Sequence, residues 1–162
     1  MKYLIALLAV AGLVISAMAL RIHNMDPAAA PPCSVSERWD CGTVNHSRYS
    51  WFPPKTIDEV FDPRPGAIHI PVAAIGIAGY ALIAIVALTG RMWIVLWLSG
   101  GGFLCAAYLS YIEEYVIQKW CIYCVWSQAT IATILVASIV AILLRRRRRT
   151  SSTVPVLADQ VD

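Results

Sequence analysis

The stretch CIYCVWSQATIATILVASIVAILLRRRRR, Cys121 to Arg149, decides the fold. From Cys121 to Leu144 it holds no charged residue, and five consecutive arginines follow directly. A helix needs about 20 apolar residues to cross the hydrocarbon of a bilayer, so this block is long enough to span. The arginine run sits where anionic headgroups attract basic clusters, which makes it an anchor to membrane lipid rather than a nucleic-acid patch. Three further uncharged blocks lie upstream: Tyr3 to Leu20, Ile70 to Leu88, and Met92 to Ile112. In lipid only helices and closed barrels satisfy their own backbone, and the strict apolar–polar alternation of barrel strands is missing. The expectation is an all-α membrane protein, a four-transmembrane-helix bundle. A long loop joins the first two spans, and its segment Asn45 to Phe52, mixing aromatics with small polar residues, is expected to lie on the bundle mouth as a short lid helix. A hydrophobic share of 59% and a charged share of 14% depart from the soluble average in the same direction. The membrane domain is assigned to residues 1–149, and residues 150–162 to a short polar tail without fixed structure.

Pro71 opens the second block, where a missing N–H costs least. Ala73, Ala74, Gly76, Ala78 and Gly79 in that block are small enough for close helix approach, as are Gly100, Gly101, Gly102, Ala106 and Ala107 in the third. Trp51, Trp93, Trp97 and Trp120 fall near span ends, as interfacial tryptophans do. Four spans put the N-terminus, the 89–91 turn and the C-terminal tail on one side, with seven Lys and Arg. The other side has six: Arg21, Arg38, Arg48, Lys55, Arg64 and Lys119. Position breaks this near tie, because charges adjoining a span end weigh most and five arginines adjoin the last span. Both termini are therefore expected in the cytoplasm, with the 21–69 loop and the 113–120 connection outside. A rival reading takes Lys2, the first apolar block and Ala17-Met18-Ala19 as a signal peptide with its cleavage site. The block is longer than an ordinary signal core, which favours an uncleaved span.

This orientation puts Cys33, Cys41, Cys121 and Cys124 on the oxidising side. Residues three apart on a helix share a face, and Cys124 lies about 4.5 Å deeper than Cys121. The outer sulfur is expected to meet a thiol or disulfide in water, and the inner one a lipid-soluble ligand. The helix N-terminus favours a thiolate, as in other C-x-x-C sites. For Cys33 and Cys41 the spacing leaves two readings open. One is a structural disulfide; the other is a shuttle disulfide that exchanges with an outside partner and with Cys121. Pro31 and Pro32 stiffen the approach to Cys33, and Gly42 frees the exit from Cys41. Four cysteines also match a tetrahedral zinc site, but the oxidising location disfavours it and no metal is expected. Cys105, in mid-block, reads as a small hydrophobe. Gln128 shares a face with Cys124 and bonds either a ligand carbonyl or a neighbouring helix. Ser127 and Thr130 read as bonding their own backbone. Glu113 and Glu114 end the third block near the cysteine mouth and read either as a proton relay to a reduced acceptor or, the simpler reading, as exposed interfacial acids. His46 and His69 read either as aids to proton transfer or, more simply, as solvated loop histidines. Asn45-His46-Ser47 matches a glycosylation acceptor.

Three elements come in order: Cys33-x7-Cys41, then Ser47-Arg48 six residues past the second loop cysteine, then Trp120-Cys121-Ile122-Tyr123-Cys124 opening the last helix. In this order the chain resembles the vitamin K epoxide reductase family in its bacterial form. The run Cys41 to Ser47 is also similar to bacterial members, and the likeness covers about Tyr3 to Leu144. The resemblance implies a four-helix bundle around a quinone pocket in a bacterial plasma membrane. It implies a membrane quinone of the ubiquinone or menaquinone type as electron acceptor, with Cys124 contacting its ring and Cys121 resolving. Cys41 would then exchange with Cys121, and Cys33 with a soluble protein. Ser47 on the lid and Tyr80 in the second span are implied to lie near the quinone. Gln128, from its position alone, completes the expected cofactor contacts. Some members carry a fused thioredoxin-like domain. This chain stops at Asp162, so a separate thioredoxin-like extracytoplasmic thiol oxidase is the expected partner. Vitamin K-recycling members have a tyrosine at the position of Gln128 and an asparagine at that of Val72, and both departures point away from epoxide reduction. The expected function is a membrane thiol–quinone oxidoreductase supporting disulfide formation in exported proteins. Its rivals are an epoxide reductase using the same relay, a non-catalytic membrane protein with two structural disulfides, and a metal-binding membrane module.

Overall fold

Four uncharged stretches become helices because a backbone in lipid has no other partner for its N–H and C=O groups. A computed structural model of the chain describes residues 1–26, 33–61 and 68–153. Helix α1 (Lys2–His23) is followed by two short pieces in the long loop, α2 (Cys41–Asn45) and α3 (Ile57–Phe61). Then come α4 (Val72–Thr89), α5 (Met92–Ile112) and α6 (Ile122–Thr153). The four long helices each contain a stretch long and apolar enough to cross a membrane. The chain is a multi-pass membrane protein with the expected four-helix bundle. The segment Asn45 to Phe52, expected as a lid helix, forms only a single 3₁₀ turn, Arg48–Ser50, before running into a short strand; the α-helical piece α2 precedes it. Residues 154–162, most of the anticipated tail, lie outside the described residues, as do Pro31 and Pro32.

Between helices in lipid there is no hydrophobic drive, so close packing and hydrogen bonds hold the bundle. α1 packs along α4 and α6, and α5 along α6 and α4. Their shared core includes Ile5, Ala9, Ile83, Val95 and Ile134. Ile85, Trp97, Leu104 and Val136 are exposed on the outer surface, where lipid takes the place of water. Gly12 of α1 lies under Tyr80 of α4, and a Cβ at Gly12 would overlap the tyrosine ring. The Tyr80 hydroxyl donates to the Ser127 carbonyl at 2.8 Å, so α1, α4 and α6 lock at one level. A Cβ at Gly76 would lie 2.9 Å from Ser16 Oγ, and one at Gly102 3.3 Å from Ile131. Gly79 and Gly101 have nothing within 4 Å; there, small size opens space rather than closing a contact.

At one end of the bundle α4 stops at Gly90, whose left-handed φ of 78° turns the chain into α5. Arg145 donates to the Gly90 carbonyl at 2.8 Å and ties α6 to this turn. At the other end β1 (Trp51–Phe52) pairs antiparallel with β2 (Ile70–Pro71), Trp51 opposite Pro71 and Phe52 opposite Ile70. Trp39 forms a parallel bridge with Trp120. In it the Asp40 N–H donates to the Trp120 carbonyl at 3.0 Å and the Trp120 N–H to the Arg38 carbonyl at 2.8 Å. Arg38 also pairs with Glu114 at 3.1 Å. The long loop is thus stitched onto the connection between α5 and α6. That connection opens with a π-helical turn, Glu113–Ile117, closed by Gln118 at φ 57°.

Candidate redox site

The loop side of the site is built around Asp40. Its carboxylate caps α2, accepting the Thr43 hydroxyl at 2.6 Å, the Thr43 N–H at 3.2 Å and the Ser34 hydroxyl at 2.7 Å. Hydrogen bonds from Thr43 and then Ser34 hold this carboxyl below its ordinary range, against a smaller effect of burial. The cap fixes Cys41 at the first position of α2, and Cys41 is joined to Cys33 in a disulfide whose Cα atoms are 5.8 Å apart. Cys33, Cys41, Ile22, Val44 and Cys121 pack into one cluster.

Cys121 has no solvent exposure. The expectation that its sulfur faces water is therefore corrected: the loop, drawn down by the Trp39–Trp120 bridge and the Arg38–Glu114 pair, covers it. Asn45 spans the two cysteine pairs, its amide donating to the Cys41 carbonyl at 2.9 Å and to Cys121 Sγ at 3.5 Å. The Cys121 N–H donates to Glu113 Oε2 at 3.1 Å. A hydrogen bond from the Cys124 thiol shifts the Cys121 thiol down from its ordinary pKa, with burial opposing. Both Cys121 and Cys124 are free thiols, as is Cys105.

Cys124, one helical turn deeper, lies on the wall of a cavity of about 380 Å³. The size suits a small-molecule site. Apolar side chains such as Val72, Ile83, Leu98 and Ile131 form most of the wall, and His23, Asn45, Ser47 and Glu113 bring polar groups toward its loop end. Ile75 on α4 and Cys105 on α5 line the cavity and are exposed. A flat apolar ring with carbonyl oxygens fits this set: an apolar slot, a thiol beside it and hydrogen-bonding groups at one end.

Of the residues singled out in the sequence, Cys124, Ser47 and Tyr80 line the cavity, and Cys33, Cys41 and Cys121 gather directly above it. Ser47 Oγ donates to the Val44 carbonyl at 2.8 Å. Gln128 is not brought to the cavity. Ser110 of α5 donates to its amide oxygen, so the neighbouring helix satisfies it. Ser127 has the Tyr80 hydroxyl 3.0 Å from its Oγ, whereas Thr130 bonds its own helix at Trp126. His46 is not a solvated histidine. Its ring nitrogens lie 2.9 Å from the Gly42 carbonyl and 3.0 Å from the Met25 carbonyl, clipping α2 to the end of α1. Asn45 is 6% exposed, and the amide that a glycan would need is committed inside the site. Among the described residues no group of three or more His, Cys, Asp or Glu converges on a point suited to a metal ion.

Two residues of the site, His23 and Asn45, escape a reading of the sequence as site residues, and a third, Glu113, is placed differently from its simpler reading. Glu113 is buried, not an exposed interfacial acid; the π-helical turn points it inward while Glu114 faces Arg38 and Trp120. His23, at the end of α1, lines the cavity and its Nδ1–H donates to the Asn45 carbonyl at 2.6 Å. Asn45 reaches across to Cys121. The tandem acids near the cysteine mouth are the available signal for Glu113; nothing local marks His23, and Asn45 reads only as part of the lid segment, the family-like run and a glycosylation match.

A dithiol at the membrane mouth of four apolar helices, covered by a loop disulfide, defines a membrane thiol–disulfide oxidoreductase. The sequence profile of the Vitamin K epoxide reductase family matches residues 3–139, and the chain belongs to that family. No curated protein matches the chain.

Proposed function

We propose that the chain is a thiol–quinone oxidoreductase of the bacterial plasma membrane, with both termini in the cytoplasm and residues 1–149 as its catalytic domain. A separate thioredoxin-like protein outside the membrane delivers electrons to Cys33/Cys41. They pass to Cys121/Cys124 and on to a membrane quinone of the ubiquinone or menaquinone type. The service rendered is disulfide formation in exported proteins. One observation carries the reading: Cys124 stands on the wall of an apolar cavity, while Cys121, three residues away, packs against the Cys33–Cys41 disulfide. The two sulfurs of one C-x-x-C thus face the two ends of an electron path. Val72 on the cavity wall and Gln128 off it supply neither the asparagine nor the tyrosine of vitamin K-recycling members, which favours quinone over epoxide.

The test is turnover of a short-chain quinone by the purified protein with a small dithiol as donor. Cys124→Ala and Cys121→Ala are each expected to abolish it. A Cys124→Ala protein that still reduces quinone removes the proposal.

A further inference from the structure

A carboxylic acid inside a membrane protein is costly and marks a task or a partner. Glu113 is 2% exposed, lines the cavity and opens the π-helical turn. Its Oε2 accepts the Cys121 N–H at 3.1 Å, and Glu113 and Cys124 line the same cavity. Accepting one backbone N–H does not explain an acid here, since a neutral amide oxygen accepts the same bond. Glu114 shows the contrast: it bonds the Trp120 indole at 2.7 Å and pairs with Arg38 at the rim. The π turn is the device that separates these neighbours. It sends one carboxyl into the cavity and the other to the loop, and such turns are frequent at functional sites.

We propose that Glu113 is the proton-transfer residue of the redox centre: it takes the thiol proton of Cys124 and hands it to a quinone oxygen. This rests on the quinone reading above and assigns the acid–base group which that reading leaves open. In one turnover the two S–H bonds of Cys121 and Cys124 break and the S–S bond between them forms. Two electrons pass to the quinone, and each of its two oxygens gains one proton. Glu113 carries the protons in succession and ends in the state in which it began. The titratable groups nearest it across the site are the thiols of Cys121, whose N–H it holds, and Cys124 on the same cavity wall. His23 of α1, Tyr80 of α4, Cys105 of α5, Tyr123 of α6 and Tyr49 of the loop also line the cavity, and Arg38 is engaged with Glu114.

The experiment uses the full chain in lipid nanodiscs, reduced beforehand and freed of reductant. It is mixed with a short-chain ubiquinone or menaquinone, and single-turnover quinone absorbance is followed across acidic to alkaline pH. Glu113→Gln keeps an acceptor for the Cys121 N–H and removes proton exchange. Its rate is expected to fall about 100-fold or more, and an ionisation present in the wild-type pH profile is expected to vanish. Glu113→Asp should restore part of the rate with that ionisation displaced. A Glu113→Gln rate within about threefold of wild type overturns the role. So does a slowed Glu113→Gln whose pH profile keeps its wild-type shape, since that marks positioning alone. If Glu113→Gln does not assemble, Glu113→Asp decides: a displaced ionisation supports proton transfer and an unchanged one overturns it. Wild-type protein that leaves quinone unreduced overturns the underlying reading, and this role with it.

Discussion

Asp40 governs the loop through three hydrogen bonds that need its charge. Because Thr43 and Ser34 favour the ionised form in the folded loop, the carboxyl titrates below its ordinary value. The stabilisation is complete above about pH 4, the ordinary aspartate range, and is lost as pH falls through the native value. Reduction of Cys33–Cys41 by an acid-tolerant phosphine is therefore expected to accelerate as pH drops below about 4. Asp40→Asn should react fast already at neutral pH, without that acceleration. A flat wild-type profile would remove Asp40 from the clasp. The cap is local, Asp40 to Thr43, and so within reach of the sequence. The bonds of Asn45 are not. Its partner Cys121 lies 76 positions away, and none of the patterns around Asn45 (the lid segment, the family-like run Cys41 to Ser47, or a glycosylation match whose reactive atom turns out to be buried) names that partner.

Among the helices, the small residues announced close approach but not its targets. Gly76 and Gly102 do admit neighbours, Ser16 and Ile131, whereas Gly79 leaves a gap on the cavity wall. The tightest approach is at Gly12, in the first span, which the small-residue pattern of the second and third spans did not point to. Gly12→Ala is expected to push Tyr80 off Ser127 and to cost about 1–3 kcal/mol, as overpacking does. Tyr80→Phe keeps the ring and loses only the hydroxyl's bonds, at about 0.5–1.5 kcal/mol. Thermal unfolding in detergent compares the two; a Gly12→Ala protein that melts with wild type would show that the contact relaxes without loss. The π-helical turn was invisible in the sequence for a different reason. Glu113-Glu114 closes an apolar block and reads as an ordinary helix end. Only a turn wound wider than α, with the Glu113 carbonyl accepting the Lys119 N–H at 3.1 Å, sends the two acids apart.

At the scale of the whole molecule, the number of spans fixes which segments share a side. That is why the grouping of four cysteines at one end was legible, although the cover over Cys121 was not. The cover changes what the relay demands. Cys33 is 5% exposed and Cys121 not at all, so a folded protein partner reaches neither while Trp39 is bridged to Trp120. Under the proposed relay, the partner works on a loop that lifts from this connection, and Cys33 is the sulfur that it attacks. Removing Cys33 or Cys41 deletes that acceptor and also opens the crosslink that closes the loop, freeing chain entropy above Cys121. In Cys33→Ala and Cys41→Ala, oxidation of a thioredoxin-like partner should fall to background while a small dithiol still drives quinone reduction. An impermeant maleimide should label Cys121 faster than in the wild type. Partner oxidation that persists in both variants would mean that electrons arrive at Cys121 directly, with the loop disulfide reduced to a structural tie.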